Sequence, residues 1–282
     1  MLTEMTVAGE QKPLERRIAD ARWYHTLELP GGRLTPGEYD LRPILGQLPI
    51  PERLDGARCI DLGSRDGFYA FEMERRGADI VSIDIDDPAQ VHSPGVPLDP
   101  ALVRRELETG NQAFSLAREA LGSRVERRHV SIYDLDPAEL GRFDFGVIGT
   151  LLLHLRDPVS ALVAARRVID GRLLLNEPVI PALRASTRRR AIAEPLMSGG
   201  PFWWLCNPAG LRHLLRAAGF DVLEMGRPYV VPFGSRHEPA PLSLALRRPL
   251  IDVPRRLIER RGMLHCWALA TPDAATAQPA WD

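Results

Sequence analysis

Short, densely apolar runs alternate along this chain with stretches in which apolar residues recur every three or four positions, the two periodicities of strand and helix. "ARCIDLG" at 57–63 predicts a buried strand that ends in an acid and a glycine. "FYAFEMERRGA" (68–78) has helical spacing with a glycine stop, and "DIVSID" (79–84) predicts a second buried strand, which completes a βαβ unit. The alternation continues with a helix in "NQAFSLAREALG" (111–122), a strand-like "VERRHVSIYDL" (125–135) and a strand in "FDFGVIGT" (143–150). A helix in "DPVSALVAARRVI", opened by Asp157 and Pro158, and a strand in "GRLLLNE" follow. Asn207 is the expected N-cap of a further helix, with Pro208 at its first position and Leu211, Leu214 and Leu215 on one face. "DVLEMG" and "MLHCWALA" predict the last two strands, separated by a long proline-rich excursion.

Strands alternating with helices predict an α/β fold with a doubly wound, mostly parallel sheet and a ligand at the carboxyl ends of its strands. Residues 1–50 are expected to form an N-terminal helical and aromatic cover, and 51–270 the main domain, with insertions at about 178–206 and 228–260. The first insertion follows the fifth strand and is expected to act as a mobile lid over 182–206; 271–282 is expected to be a flexible tail. At 282 residues, 45% hydrophobic, the chain has material for a substantial core. Neither a membrane-spanning run nor an apolar signal core is evident, which makes a cytoplasmic location the expectation. Cys59, Cys206 and Cys266 lie far apart without metal-ligand spacing and are read as buried thiols, so no metal site is expected. Charge is balanced overall at −1 but unevenly spread: residues 184–261 carry 14 Arg against 6 acidic residues. That asymmetry suits either a solvated helix face or an anionic acceptor.

The turn "DLGSRDG" selects the ligand. A dinucleotide turn needs glycines for close approach of the pyrophosphate, but Arg65 occupies the second glycine's place, and Asp61 at the strand end would repel an anion. A ligand with positive charge near Asp61 and no pyrophosphate is required, a description that S-adenosylmethionine fits. Gly63 would let its methionine portion pass the backbone, with Ser64 beside it, and Gly67 would let the helix start close against the strand. Asp84, at the end of the second strand with Ile85 after it, is placed to accept both ribose hydroxyl hydrogens.

With these residues in place, "CIDLGSRDGF", "VSIDIDD", "VSIYDLD", "FDFGVIGTLLLHLRDP" and "LLLNEP" resemble, in order, the class I S-adenosylmethionine-dependent methyltransferases over about residues 57–178. "WYHTLELPGGRLTPGEYDLRPIL" and "PFWWLCNPAGLRHLLRAAGF" resemble more narrowly the subgroup related to bacterial enzymes that carboxymethylate wobble uridine in tRNA. The resemblance implies that Tyr133 and Asp134 border the adenine, that Gly149 lies under the cofactor, and that the N-terminal segment folds over the site. Two departures count against carboxymethyl transfer. That subgroup uses lysines to hold the transferred carboxylate, whereas Lys12 is the only lysine here, and Leu153 stands where its tyrosine is expected before the histidine. Ordinary methyl transfer is the expectation, with arginine as a substitute carboxylate partner keeping the alternative open.

A hydroxyl acceptor must lose a proton, and histidine is the commonest base near neutral pH. His154, after the fourth strand, is the first candidate; the competing reading makes it a structural residue that orders the following loop. His25 in "WYHT" is second, and Glu177, ending the fifth strand, is third as base or orienting carboxylate. Trp23, Tyr24, Trp203 and Trp204 are candidates to stack on a planar acceptor, or equally to pack a cover without touching ligand, with one of the adjacent pair in the core and the other facing the site. Three functions follow: a small-molecule O-methyltransferase, a tRNA-modifying transferase, or a cofactor-binding module without turnover.

Overall fold

The period-2 runs become one eight-stranded sheet in the computed structural model, which describes residues 12–180, 190–196, 200–237 and 260–274. Its strands are β1 (Arg58–Leu62), β2 (Asp79–Asp84), β3 (Glu126–His129), β4 (Phe143–Gly149), β5 (Ile169–Pro178), β6 (Phe220–Met225), β7 (Tyr229–Pro232) and β8 (Gly262–Pro272). The spatial order is β6-β8-β5-β4-β1-β2-β3, with β7 also paired to β8. The pairings β1–β2, β2–β3, β1–β4 and β4–β5 are parallel, while β8 is antiparallel to β5, β6 and β7. The chain therefore reverses direction in sheet order beside β1, where an open α/β sheet places its ligand crevice.

Helices cover both faces: α1 (Leu14–Asp20), α2 (Phe68–Arg75), α3 (Pro100–Leu121), α4 (Pro137–Leu140), α5 (Pro158–Val168) and α6 (Pro208–Ala217). Alternation along β1 divides the core. Cys59 faces the cluster built with α2, α3 and the N-terminal cover, whereas Ile60 and Leu62 face the cluster with α5 and α6. Asp61 shares the face of Cys59, which aims its carboxylate at the start of α2, where Oδ2 accepts the Ala70 N–H at 3.1 Å. The expected caps form: Asp157 accepts from Ser160 N and Asn207 from Gly210 N, each followed by proline at the first helical position.

Several expectations need correction. Helix α3 begins eleven residues earlier than its apolar stripe, because Asp99 caps Ala101 N with Pro100 behind it. The excursion before the last strand contains β7, an additional edge strand. Thr271 and Pro272, placed in the tail, belong to β8, held by pairing of Phe220 and Asp221 with them; 275–282 lies outside the described residues. Of the expected lid, 190–196 and 200–206 are described and contain an antiparallel ribbon, Ala193–Pro195 with Trp204–Cys206. The cover runs through a parallel pair, Trp23–His25 with Gly37–Tyr39, and a hairpin, Glu28–Leu29 with Arg33–Leu34. It joins the sheet edge through Asp40 N to Pro232 O and Gly234 N to Glu38 O. The three cysteines are buried free thiols. Among the described residues no helix is long and apolar enough to cross a membrane.

Candidate active site

The loop between β1 and α2 turns through left-handed conformations at Gly63 (φ +78°), Arg65 (φ +54°) and Gly67 (φ +90°). A β-carbon on Gly63 would stand 2.8 Å from Leu151, and one on Gly67 would meet Phe71 and Phe114, so both positions need glycine for space and for backbone angle. Arg65 adopts the same region without that freedom because Asp84 holds it: Oδ2 accepts Arg65 N at 2.7 Å, and Oδ1 accepts Ile85 N at 2.8 Å. Its guanidinium turns outward to Glu106 and the face of Tyr24. Oδ2 also faces Arg127 Nη2 at 3.5 Å, whereas Oδ1, with Ile85 N–H as its one donor, keeps a lone pair at the strand end that a ribose hydroxyl could use.

Asp61 is buried, and burial pushes it up to about 6; the nearby Ser64 hydroxyl works against this from outside good hydrogen-bond geometry, as do the Ala70 N–H and the charges of His25 and Arg127. A buried acid so raised is one that a ligand's ammonium would stabilise in its charged form. The floor on the β4 side is Gly149, whose α-carbon lies so close to Tyr69 that a β-carbon would overlap the ring. Tyr133 and Asp134 stand in the turn after β3, which Ser131 caps. Buried Asp61, the glycine turn and the doubly anchored Asp84 lie together at the strand ends, a donor set whose chemistry fits S-adenosylmethionine.

Beyond β4 the chain leaves through Thr150 in a left-handed conformation (φ +56°). Thr150 N donates to Asn176 O, and its hydroxyl meets His265 Nε2 at 3.1 Å. His265 Nδ1 donates to Met263 O, and burial lowers the imidazole to about 4, so it stays neutral. The turn over 152–154 then presents His154. Its Nδ1 lies 2.8 Å from the Pro201 carbonyl, which can only accept; Nδ1 therefore carries the proton and Nε2 the lone pair. Burial lowers its pKa below the ordinary 6.5, opposed by the Pro201 hydrogen bond and by Asp84. Phe202 packs on the ring at 5.1 Å.

Glu177 does not face the site. It is buried beneath the 151–153 turn, where Oε1 accepts Leu151 N at 2.8 Å and Leu152 N at 3.0 Å, so it shapes the loop that carries His154. Burial pushes it up to about 8 against the pull of those N–H groups and that of Leu153. A raised carboxyl pKa gives stability that is full below the unfolded value near 4.5 and lost as pH rises through about 8. Glu177→Gln, uncharged at every pH, is expected to melt close to the parent at acidic pH and to exceed it above pH 8 by on the order of a few kcal/mol. Thermal melts across that range check this.

Trp23 likewise leaves the list of acceptor contacts: its side chain is 0% exposed, with Nε1 donating to Ile18 O, so it packs the cover against the core. Tyr24 alternates to the other side, half-buried against Tyr39 and beneath Arg65. The two adjacent indoles diverge. Trp203 Nε1 donates to His92 O, and its ring walls a cavity of about 540 Å³ with Val91, Val103, Arg104 and Arg156. Trp204 Nε1 donates to Arg156 O and packs beside Leu153, Pro158 and Cys206. His25 is tied to a residue that sequence reasoning missed: Asp66, fully buried, accepts Tyr24 N, His25 N and, at 2.5 Å, His25 Nδ1. Nothing local in "DLGSRDG" marks Asp66 as the anchor of a segment 41 positions away.

A parallel sheet with one reversed strand, glycine-lined at β1 and acid-tipped at β2, defines a class I S-adenosylmethionine-dependent methyltransferase. The chain is 30% identical over 184 residues to the ubiquinone biosynthesis O-methyltransferase of Hahella chejuensis, covering 62% of this chain and 68% of that protein. It is 25% identical over 194 residues to the ubiquinone biosynthesis O-methyltransferase of Acinetobacter baylyi, covering 67% and 73%. The chain belongs to this methyltransferase family; it is an enzyme, and its cofactor is S-adenosylmethionine. No protein-family model matches it. The crystal structure of Burkholderia thailandensis 1,6-didemethyltoxoflavin-N1-methyltransferase with S-adenosylhomocysteine aligns over 78% of this chain and 72% of that one, at 15% identity and a TM-score of 0.48.

Proposed function

We propose that the enzyme methylates a hydroxyl group of a small planar acceptor, with His154 as the general base. The observation that carries this reading is the fixed tautomer of His154: Nδ1–H committed to Pro201 leaves a basic Nε2 at the cofactor end of β4. Bound S-adenosylmethionine supplies an electrophilic methyl group on a sulfonium. Asp61, Gly63, Ser64, Gly67, Asp84, Ile85, Tyr133, Asp134 and Gly149 hold it across the strand ends. His154 Nε2 takes the hydroxyl proton as the acceptor oxygen becomes nucleophilic, and Phe202 over the ring keeps water from competing. Trp203 gives the acceptor a flat wall. Arg104 and Arg156 line the same cavity, are exposed, and have no ion pair among the described residues, which favours an acceptor bearing a carboxylate or phosphate. The relatives' names support oxygen as the methylated atom.

The test is to incubate the enzyme with S-adenosylmethionine and a set of hydroxybenzoates and catechols. The expected result is S-adenosylhomocysteine released in step with an O-methylated phenol. Transfer only from the carboxylated cofactor, and only to tRNA, would replace this reading with the wobble-uridine one suggested by the N-terminal motif.

A further inference from the structure

The amino-acid end of S-adenosylmethionine carries a carboxylate as well as an ammonium. Asp61 accounts for the ammonium, and a carboxylate entering a buried site needs a cation of its own. The chain's one lysine, Lys12, pairs with Asp20 on the cover. Arg65 is turned outward to Glu106 and Tyr24. Arg127 acts on Asp61, but it lies over Phe114 with Nη2 on Asn111 and paired with Asp84 at 3.5 Å, and its Nε and Nη1 are buried. His25 remains, and it lies close enough to act on the Asp61 carboxyl.

We propose that His25, clamped by Asp66, grips the methionine carboxylate of S-adenosylmethionine, opposite the ammonium at Asp61. Its Nδ1 edge is fixed: Asp66 Oδ1 takes Nδ1–H at 2.5 Å, while Oδ2 takes the backbone N–H groups of Tyr24 and His25, so carboxylate and ring cannot shift independently. The ring is also wedged between Tyr24, edge-on at 4.8 Å, and Phe68 at 5.5 Å. Nε2 has no partner among the described residues and, unlike the nitrogens of Arg127, is not sealed. Asp66 takes one edge of the ring, and the assignment has the other edge, Nε2–H, donating to the cofactor carboxylate. Two histidines thereby take separate roles, His25 as the carboxylate partner under the methionine and His154 as the base.

The inference rests on the cofactor, not on the acceptor or on the base, and binding alone tests it. Calorimetric titration of the wild-type protein is expected to show S-adenosylmethionine binding about tenfold to a hundredfold more tightly than its decarboxylated form, S-adenosyl-3-methylthiopropylamine. His25→Ala and His25→Gln, checked for folding by thermal melting, are expected to lose that preference by weakening S-adenosylmethionine while leaving the decarboxylated form unchanged. Equal wild-type affinity for the two ligands overturns the assignment whether or not the variants fold. So does a variant that binds S-adenosylmethionine normally yet has lost turnover, which would make His25 a base.

Discussion

Replacing His154 with alanine is expected to lower kcat by about 10² to 10⁴-fold and to leave the affinity for S-adenosylmethionine unchanged. The Pro201 carbonyl can only accept a hydrogen bond and so fixes the imidazole proton on Nδ1. Burial then lowers the pKa below 6.5, which keeps Nε2 unprotonated at neutral pH. A base works deprotonated, so the wild-type rate falls only as pH drops below 6.5, through the lowered pKa, and that acid limb disappears in the variant. The competing role, ordering the loop through Pro201, predicts something else. A purely structural His154 would give a variant with altered melting and KM but an intact acid limb, and that result would remove the base from the mechanism.

Asp84→Ala is expected to weaken S-adenosylmethionine by about 1.5 to 3 kcal/mol, roughly 10 to 150-fold, through loss of charge-assisted bonds to the ribose hydroxyls. The structure adds a second contribution. Asp84 also restrains Arg65 in its left-handed conformation through the 2.7 Å bond to Arg65 N, so alanine frees the turn that forms the cradle. Asp84→Asn separates the two effects, because one amide oxygen still accepts a backbone N–H while the amide nitrogen presents a donor to a diol that needs an acceptor. Titration calorimetry read beside a thermal melt measures both; unchanged affinity in the alanine variant would exclude Asp84 from the ribose site.

How much of this was legible depended on the range of the interaction. Cap residues and turn glycines act within a few positions of themselves, so Asp157 with Pro158, Asn207 with Pro208, and Gly63 with Gly67 could be read directly. The positions of Asp61 and Asp84 were legible for a similar reason, since Asp61 lies one residue before the end of β1 and Asp84 ends β2 in a βαβ unit. The early start of α3 carried a readable cap in Asp99 and Pro100, but its first turns are exposed, Leu102 at 60%, and offered no apolar stripe. Strand β7 is four residues long at a sheet edge and bounded by prolines, below what alternation can reveal.

What the sequence by itself determined is the order of strands and helices and the cofactor class, because periodicity, capping and turn chemistry are local properties of the chain. The tertiary structure alone decided which way each side chain faces and what it meets. Alternation places Trp23 and His25 on one side of their strand and Tyr24 on the other, yet only packing of the cover showed that Trp23 is core and that His25 reaches Asp66. Glu177 lies near the end of β5 and His154 in the turn after β4, and only the fold of the 151–154 turn buries one beneath it and ties the other to Pro201. Such roles come from partners tens of residues apart, and a one-dimensional pattern carries no information about which distant segments will touch.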